Sequence, residues 1–394
     1  MIPAVMPTYQ RAEIAFERGE GAYLFTTDGR RYLDFASGIA VTALGHAHPH
    51  LVAALTEQAK KVWHLSNLYQ IPGQQRLAER LVAASFADSV FFCNSGAEAI
   101  ECGLKLTRKY QDEFGDPKRY RVITVEGAFH GRTLATIAAG RQEKHLKGFD
   151  PMVEGFDQVA FGNLNELRAA IGGETAAILV EPVQGEGGMR AAAADYLQAL
   201  RAIADEFGLL LFFDEVQCGM GRTGKLFAHE WAGVAPDICA TAKALGGGFP
   251  IGACLATEKA AKALTAGSHG STFGGNPLAT TVANAVLDIM LADGFFAGVE
   301  RMAKLLRQRL EALMARHPRM FAELRGMGLI LGLKCKVPNT ELQLRLREAG
   351  LLTVTAGDNV LRILPPLIVD ERHIDEAMAT IDRVCAAWPP AGTN

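Results

Sequence analysis

Five short apolar runs mark the middle of the chain, at 90–92, 121–125, 176–180, 209–213 and 253–256. Each is too short for a buried helix. Each is mainly apolar rather than strictly alternating, which is the pattern of a strand covered on both faces. Longer amphipathic stretches separate most of them. Along 196–207, Leu197, Leu200, Ile203, Ala204 and Phe207 recur at helical spacing on one face. Buried strands alternating with amphipathic helices predict an α/β fold, a mainly parallel sheet with helices on both sides.

The two ends of the chain differ from the middle. Residues 16–35 carry the turn signal Thr-Thr-Asp-Gly-Arg-Arg between two β-like runs, which predicts a hairpin. From about Ala297 the pattern is one long helix. Short strands at 329–333 and 361–363 and a last helix at 374–386 come after it. The expectation is a large α/β domain over 49–294 and a smaller α+β domain built from 1–48 and 295–394.

Composition narrows the function classes. The 394 residues are 49% apolar and 21% charged with a net charge of −3, and no long basic run suggests nucleic acid or a membrane surface as partner. Seven cysteines, at 93, 102, 218, 239, 254, 335 and 385, form no Cys-x-x-Cys pair, so free thiols are expected rather than a zinc site or a disulfide framework. The N-terminus lacks a basic start followed by an apolar core, and no apolar stretch reaches the length of a membrane span; a cytoplasmic protein is expected.

Two glycine motifs compete for attention. Gly219-Met-Gly-Arg-Thr-Gly224 fits GxGxxG, and Gly219 through Lys225 fits the start of a phosphate loop. A P-loop nucleotide-binding protein is therefore an alternative from another class. It fails on detail: Leu226 stands where a hydroxyl must reach magnesium, and five residues separate the preceding strand from the first glycine. His46, His48 and His50 suggest a metal at first sight, but no acid or cysteine lies near them in sequence, and no metal site is expected.

In open parallel sheets ligands bind beyond the carboxyl ends of the strands. Three segments at such ends supply what a pyridoxal 5'-phosphate site requires: an amine for the carbonyl, a carboxylate for the ring nitrogen and an anion cradle for the phosphate. Lys243 lies between small residues and is followed by three glycines. Asp214 ends an apolar strand. Asn94-Ser-Gly-Ala-Glu98 joins a strand to a helix whose free N–H groups suit a phosphate. Taken singly, each has an ordinary reading: a surface lysine, a solvated acid, a helix cap.

Together with Asp-Glu-Val-Gln217, the Gly219–Lys225 segment and Gly270-Ser-Thr-Phe-Gly-Gly-Asn-Pro277, these motifs resemble the class III (ω-) aminotransferases of fold type I. The resemblance runs from Leu44-Gly-His46 to Arg362-Ile-Leu-Pro-Pro366. It implies that Lys243 carries the cofactor and shuttles the proton, that Asp214 pairs with the ring nitrogen, that Gln217 meets the ring's phenolic oxygen, and that Phe129 stacks on the ring. It also implies that Ser95, Gly96 and Ala97 hold the phosphate. Thr272 is implied to reach the phosphate of a neighbouring subunit, which would make the enzyme a homodimer with shared active sites, and Ser271 to touch the substrate. Arg132 is implied to grip the substrate carboxylate, and Glu186 to gate a second arginine, Arg362. His130 is expected to be structural or one layer removed. Phe273 stands where many members carry Tyr, and the 66–70 segment falls where the family varies. The implied reaction moves the δ-amino group of N2-acetylornithine to 2-oxoglutarate, giving N-acetylglutamate 5-semialdehyde and glutamate for arginine biosynthesis. Ornithine, succinylornithine and 4-aminobutyrate are the alternative donors.

Overall fold

The computed structural model describes residues 2–389. Its centre is a seven-stranded sheet in the order Ser89–Cys93, Gly252–Ala256, Ile238–Thr241, Leu210–Asp214, Thr175–Val180, Arg121–Val125 and Phe156–Val159. Only Gly252–Ala256 runs antiparallel to its neighbours. The five apolar runs are all strands of this sheet. Two more, Phe156–Val159 and Ile238–Thr241, escape the sequence pattern because each is only four residues long, one carries Asp and Gln, and the other is mostly small.

The strand Leu210–Asp214 explains why the sheet is covered on both sides. Phe212 packs with Ile100 and Leu104 of the helix Gly96–Phe114. Phe213, pointing the other way, packs with Leu200 and Ile203 of the helix Ala194–Phe207. Gly103 lets the first of these helices approach: a Cβ there would lie 2.2 Å from Phe212. Burying each phenylalanine contributes about 2–3 kcal/mol.

At the amino end the chain forms three strands rather than a single hairpin. Phe16–Glu20 pairs with Tyr23–Thr26, which turns back through Gly29 into Arg31–Asp34. Leu351–Leu352, from the other end of the chain, adds in parallel to Arg31–Asp34. A second sheet runs Phe321–Met327, Ile330–Cys335, Val360–Ile363, Val354–Ala356. The long helix is Phe295–Arg316 and the last is Glu371–Ala386. After Asp34 comes a left-handed turn: Ser37, Gly38, Ile39 and Ala40 have φ of 48°, 60°, 67° and 63°. Asp34 Oδ1 accepts from the N–H groups of Ala36 and Ser37, and Ser37 Oγ donates to Leu364 O at 2.7 Å. These bonds offset a conformation that L-residues avoid.

The glycine-rich segment after Asp214 is no phosphate loop. Gly221 N donates to Leu226 O and Gly224 N to Gly221 O, closing a compact turn. The chain then enters one short 3₁₀ turn, Ala228–Ala232, not a helix with donors to offer.

Candidate active site

The carboxyl ends of the parallel strands open into a cavity of about 420 Å³, a size suited to a cofactor. Lys243 enters it just beyond the strand Ile238–Thr241, in a left-handed backbone conformation (φ 46°) that is uncommon for lysine and typical of functional positions. Its glycines have a geometric reason: a Cβ on Gly246 would sit 1.9 Å from Phe249 O, and Gly247 and Gly248 have φ of 55° and 123°. Burial holds the Lys243 amine below its usual pKa, against the pull of Asp214 and Glu186.

Asp214 reaches the same cavity from the end of its strand and is held on two sides. Its Oδ2 is 2.8 Å from His130 Nδ1, and its Oδ1 accepts from Val216 N at 3.0 Å. His130 is therefore closer to the chemistry than the sequence alone indicates; its place right after Phe129 was the available signal. Gln217 Oε1 and His130 Nε2, on two residues of the cavity lining, are buried with no protein partner, which suits a polar ligand in the cavity. Glu181 also lines the cavity, a residue that the sequence pattern does not single out. Its Oε2 accepts from Phe129 N at 3.0 Å, and burial, with Asp214 nearby, raises its pKa well above the usual carboxyl value.

Ser95, Gly96 and Ala97 line the opposite wall. Ser95 is also an ordinary helix cap, its Oγ accepting from Glu98 N at 3.3 Å. The backbone at Gly96 is pressed against Val216, where a Cβ would come within 2.6 Å. The N–H groups of a helix's first turn, which lack partners within the helix, are donors of the kind that can hold an anion. Phe129 and Arg132 complete the lining, with the exposed Arg132 guanidinium 5.5 Å from the Phe129 ring centroid.

Four expected site residues lie outside this wall. Glu186 Oε1 and Arg362 Nη1 pair at 2.5 Å, with Arg362 only 1% exposed and its Nη2 donating to Thr355 O. The pair is near enough to bear on the charge of Lys243. Ser271 Oγ accepts from Gly274 N at 2.9 Å and from Asn94 Nδ2 at 3.3 Å, so that it braces a turn beside the cavity. Thr272 is exposed and faces a separate cavity with His64, Ser66 and Asn67. In the 66–70 segment, Asn67 ties to Ser271 O and Gly274 O, while Leu68 and Tyr69 are 89% and 70% exposed.

The histidines of the 46–50 segment serve the scaffold: His46 bonds Asp34, His48 caps the helix Pro49–Ala59, and His50 bonds Asp288. Among the described residues one trio, Glu215, His229 and Cys239, has metal-like proximity. Its carboxylate is already engaged by Ala228 N, His229 N and His229 Nδ1. All seven cysteines are buried and free.

Comparison with known proteins agrees with this geometry. The family model Aminotransferase class-III matches residues 5–385. An acetylornithine aminotransferase of Mesorhizobium japonicum is 62% identical over 96% of this chain and 95% of its own. One from Agrobacterium fabrum is 60% identical over 96% and 95%. Among solved structures, an N-acetylornithine aminotransferase from Stenotrophomonas maltophilia superposes with a TM-score of 0.84 at 40% identity, covering 96% of this chain and 97% of that one. An ornithine aminotransferase from Toxoplasma gondii reaches 0.93 at 29% identity, covering 98% and 92%. The nucleotide-binding alternative has no place beside these matches. The chain belongs to the class-III aminotransferases, enzymes that move amino groups with pyridoxal 5'-phosphate.

Proposed function

We propose that this enzyme transfers the δ-amino group of N2-acetylornithine to 2-oxoglutarate, giving N-acetylglutamate 5-semialdehyde and glutamate, a step of arginine biosynthesis. The observation that carries the reading is the convergence of Lys243, a doubly held Asp214, Gln217 and a helix-start anion cradle on one cavity. It stands in a chain 62% identical to an acetylornithine aminotransferase over nearly its full length.

Pyridoxal 5'-phosphate, when bound, supplies an electron sink that makes the carbon bearing the substrate amine acidic. Ser95, Gly96 and Ala97 would hold its phosphate, Phe129 and Val216 would flank its ring, and Asp214 and Gln217 would meet the ring's nitrogen and oxygen. The carboxylate of Asp214 cannot rotate while His130 and Val216 N hold it. It therefore presents its charge in one direction without reorganising. Lys243 Nζ would take the proton from the substrate carbon that bears the amine and keep it available for return. Its burial suits the task, because lowering the pKa of an amine raises the share that is uncharged and ready to accept a proton.

Arg132, exposed at the mouth and without an ion pair among the described residues, would grip with a bidentate fork the carboxylate remote from the reacting carbon, the α-carboxylate of the donor and the far carboxylate of the acceptor. The acceptor brings a second carboxylate, for which Arg362 would open away from Glu186. Acetylation removes the α-ammonium of ornithine, so the donor asks for no acidic partner there. Of the acids near the cavity, Glu181 and Asp214 are buried beneath it and Glu186 is paired.

Thr272, facing outward, and the exposed Trp63, Leu68, Tyr69 and Phe273 around it support a homodimer in which that face meets a second subunit. The same reading keeps a large domain over 49–294 and a smaller one from both chain ends, and places the protein in the cytoplasm. Among the described residues no single helix is long and apolar enough to cross a membrane.

The high TM-score to an ornithine aminotransferase favours ornithine as the second reading of the donor. The deciding experiment is a comparison of kcat/KM for N-acetylornithine, succinylornithine, ornithine and 4-aminobutyrate with 2-oxoglutarate as acceptor. A preference for N-acetylornithine supports the proposal; a preference for any of the others moves the substrate and leaves the chemistry.

A further inference from the structure

Arg222 is a large side chain with no exposed surface, and among the described residues it has no carboxylate partner. Burial alone lowers its pKa. A cation buried without a counter-charge costs stability, so its location calls for a purpose that an apolar residue would not serve.

Its contacts give one. Arg222 Nη1 donates to two backbone oxygens, Leu329 O at 3.3 Å and Pro365 O. In return Arg222 O accepts from Leu329 N at 2.9 Å. The strands Ile330–Cys335 and Val360–Ile363 are antiparallel, with Gly332 opposite Arg362 and Leu331 opposite Ile363. Continuing that register by two places sets Leu329 opposite Pro365. There the ladder cannot close by itself, because proline has no N–H to donate. The Arg222 guanidinium supplies the missing donor to both sides. The loop is pressed onto the hairpin turn as well: a Cβ on Gly328 would lie 2.5 Å from Thr223 Cα. From the other side, Leu364 is fixed by Ser37 Oγ and by Phe35 O, the second through its own N–H.

We propose that Arg222 is a positioning residue for Arg362. It clamps the end of the ladder three residues beyond Arg362 and so sets where that guanidinium waits for the acceptor's second carboxylate. The inference rests on the role given to Arg362 above. A short, rigid connection is what such a task requires, since a misplacement on the order of 1 Å costs about 100-fold in a reading of this kind. Lysine could keep the charge, but its amine lacks the fixed plane that aims Nη1 at both carbonyls.

The test separates the two half-reactions by single-turnover spectroscopy of the holoenzyme. Arg222→Met and Arg222→Lys would each be reacted with N-acetylornithine, and their amino forms with 2-oxoglutarate and with succinate semialdehyde, whose one carboxylate is remote from its carbonyl. For Arg222→Met, kcat/KM for 2-oxoglutarate should fall about tenfold or more, carried by a higher KM, with the other two reactions within about twofold. Arg222→Lys should lie between it and the parent. If Arg222→Met does not fold, the same split in Arg222→Lys decides. Equal losses in all three reactions would reduce Arg222 to a structural residue, and no loss would remove the clamp; either overturns the proposal. Arg362→Lys run beside them distinguishes the two layers. If it leaves the preference for 2-oxoglutarate over succinate semialdehyde intact, the role of Arg362 is what fails.

Discussion

Replacing Glu186 with alanine tests the acceptor gate directly. Arg362 is almost wholly buried and meets Glu186 at 2.5 Å, while the Glu186 side chain keeps 26% of its surface exposed. With charge centres roughly 4 Å apart and an effective dielectric of ~20, the Coulomb attraction is about 4 kcal/mol. Rehydration and screening of the part-exposed carboxylate reduce the net hold to about 1–2 kcal/mol. The second carboxylate of 2-oxoglutarate must compete with that hold, so its removal should lower the KM for 2-oxoglutarate about 5- to 30-fold. The donor should suffer in the opposite sense, because it brings no second carboxylate to neutralise the bare cation beside Lys243. Thr355 O still accepts from Arg362 Nη2, which keeps the guanidinium in place. Rapid mixing of each enzyme form with its own substrate, followed by cofactor absorbance, reads both effects. A Glu186→Ala enzyme whose KM for 2-oxoglutarate is unchanged or higher would refute the gate and leave the pair a structural one.

Three further outcomes are expected. Lys243→Ala should lose at least about 1,000-fold in turnover, together with the absorbance of covalently held cofactor; full turnover would take Lys243 out of the chemistry. Glu181 has a raised pKa in the folded state, so it binds more protons there than in the unfolded chain between its ordinary value and the raised one. Its contribution to stability is complete below the ordinary value and is lost as pH rises through the raised one. Glu181→Gln should therefore flatten that fall in thermal melts taken from acidic to neutral pH, and an unaltered slope would contradict the assigned direction. Ser95→Ala should cost about 1 kcal/mol of stability through the lost cap and weaken cofactor binding in equilibrium dialysis; unchanged affinity would leave Ser95 a cap alone.

How far the sequence is legible depends on how local the signal is. The strand Leu210–Asp214 announces itself, since four consecutive large apolar residues ending in Asp have few other uses. Ile238–Thr241 does not, although it delivers Lys243, because Ile-Cys-Ala-Thr owes its burial to the two strands beside it. Asp214, Lys243 and Gln217 can be found because each comes after a strand. Glu181 and His130 come after strands as well, but what sets their roles is a partner far away in the chain, Phe129 N for one and Asp214 for the other. Ser271 and Thr272 are adjacent in sequence yet face different surroundings, and nothing in Gly-Ser-Thr-Phe says which hydroxyl braces a turn and which looks outward. The three strands at the amino end read as a hairpin because Phe16–Glu20, Phe-Glu-Arg-Gly-Glu, has a polar pattern that only pairing makes a strand.

The lone antiparallel strand, Gly252–Ala256, sets a rule for how this chain can vary. Most other connections in the sheet pass through an α-helix, and a helix can lengthen by a turn without moving the strand it leaves. Between Thr241 and Gly252 there is no such slack. The chain leaves one strand, presents Lys243, turns through glycines packed against Phe249 and enters the adjacent strand at once. An inserted or deleted residue there has nowhere to be absorbed except at the lysine itself. Length changes should therefore accumulate at the surface helices and at the amino end, while this reversal keeps its length.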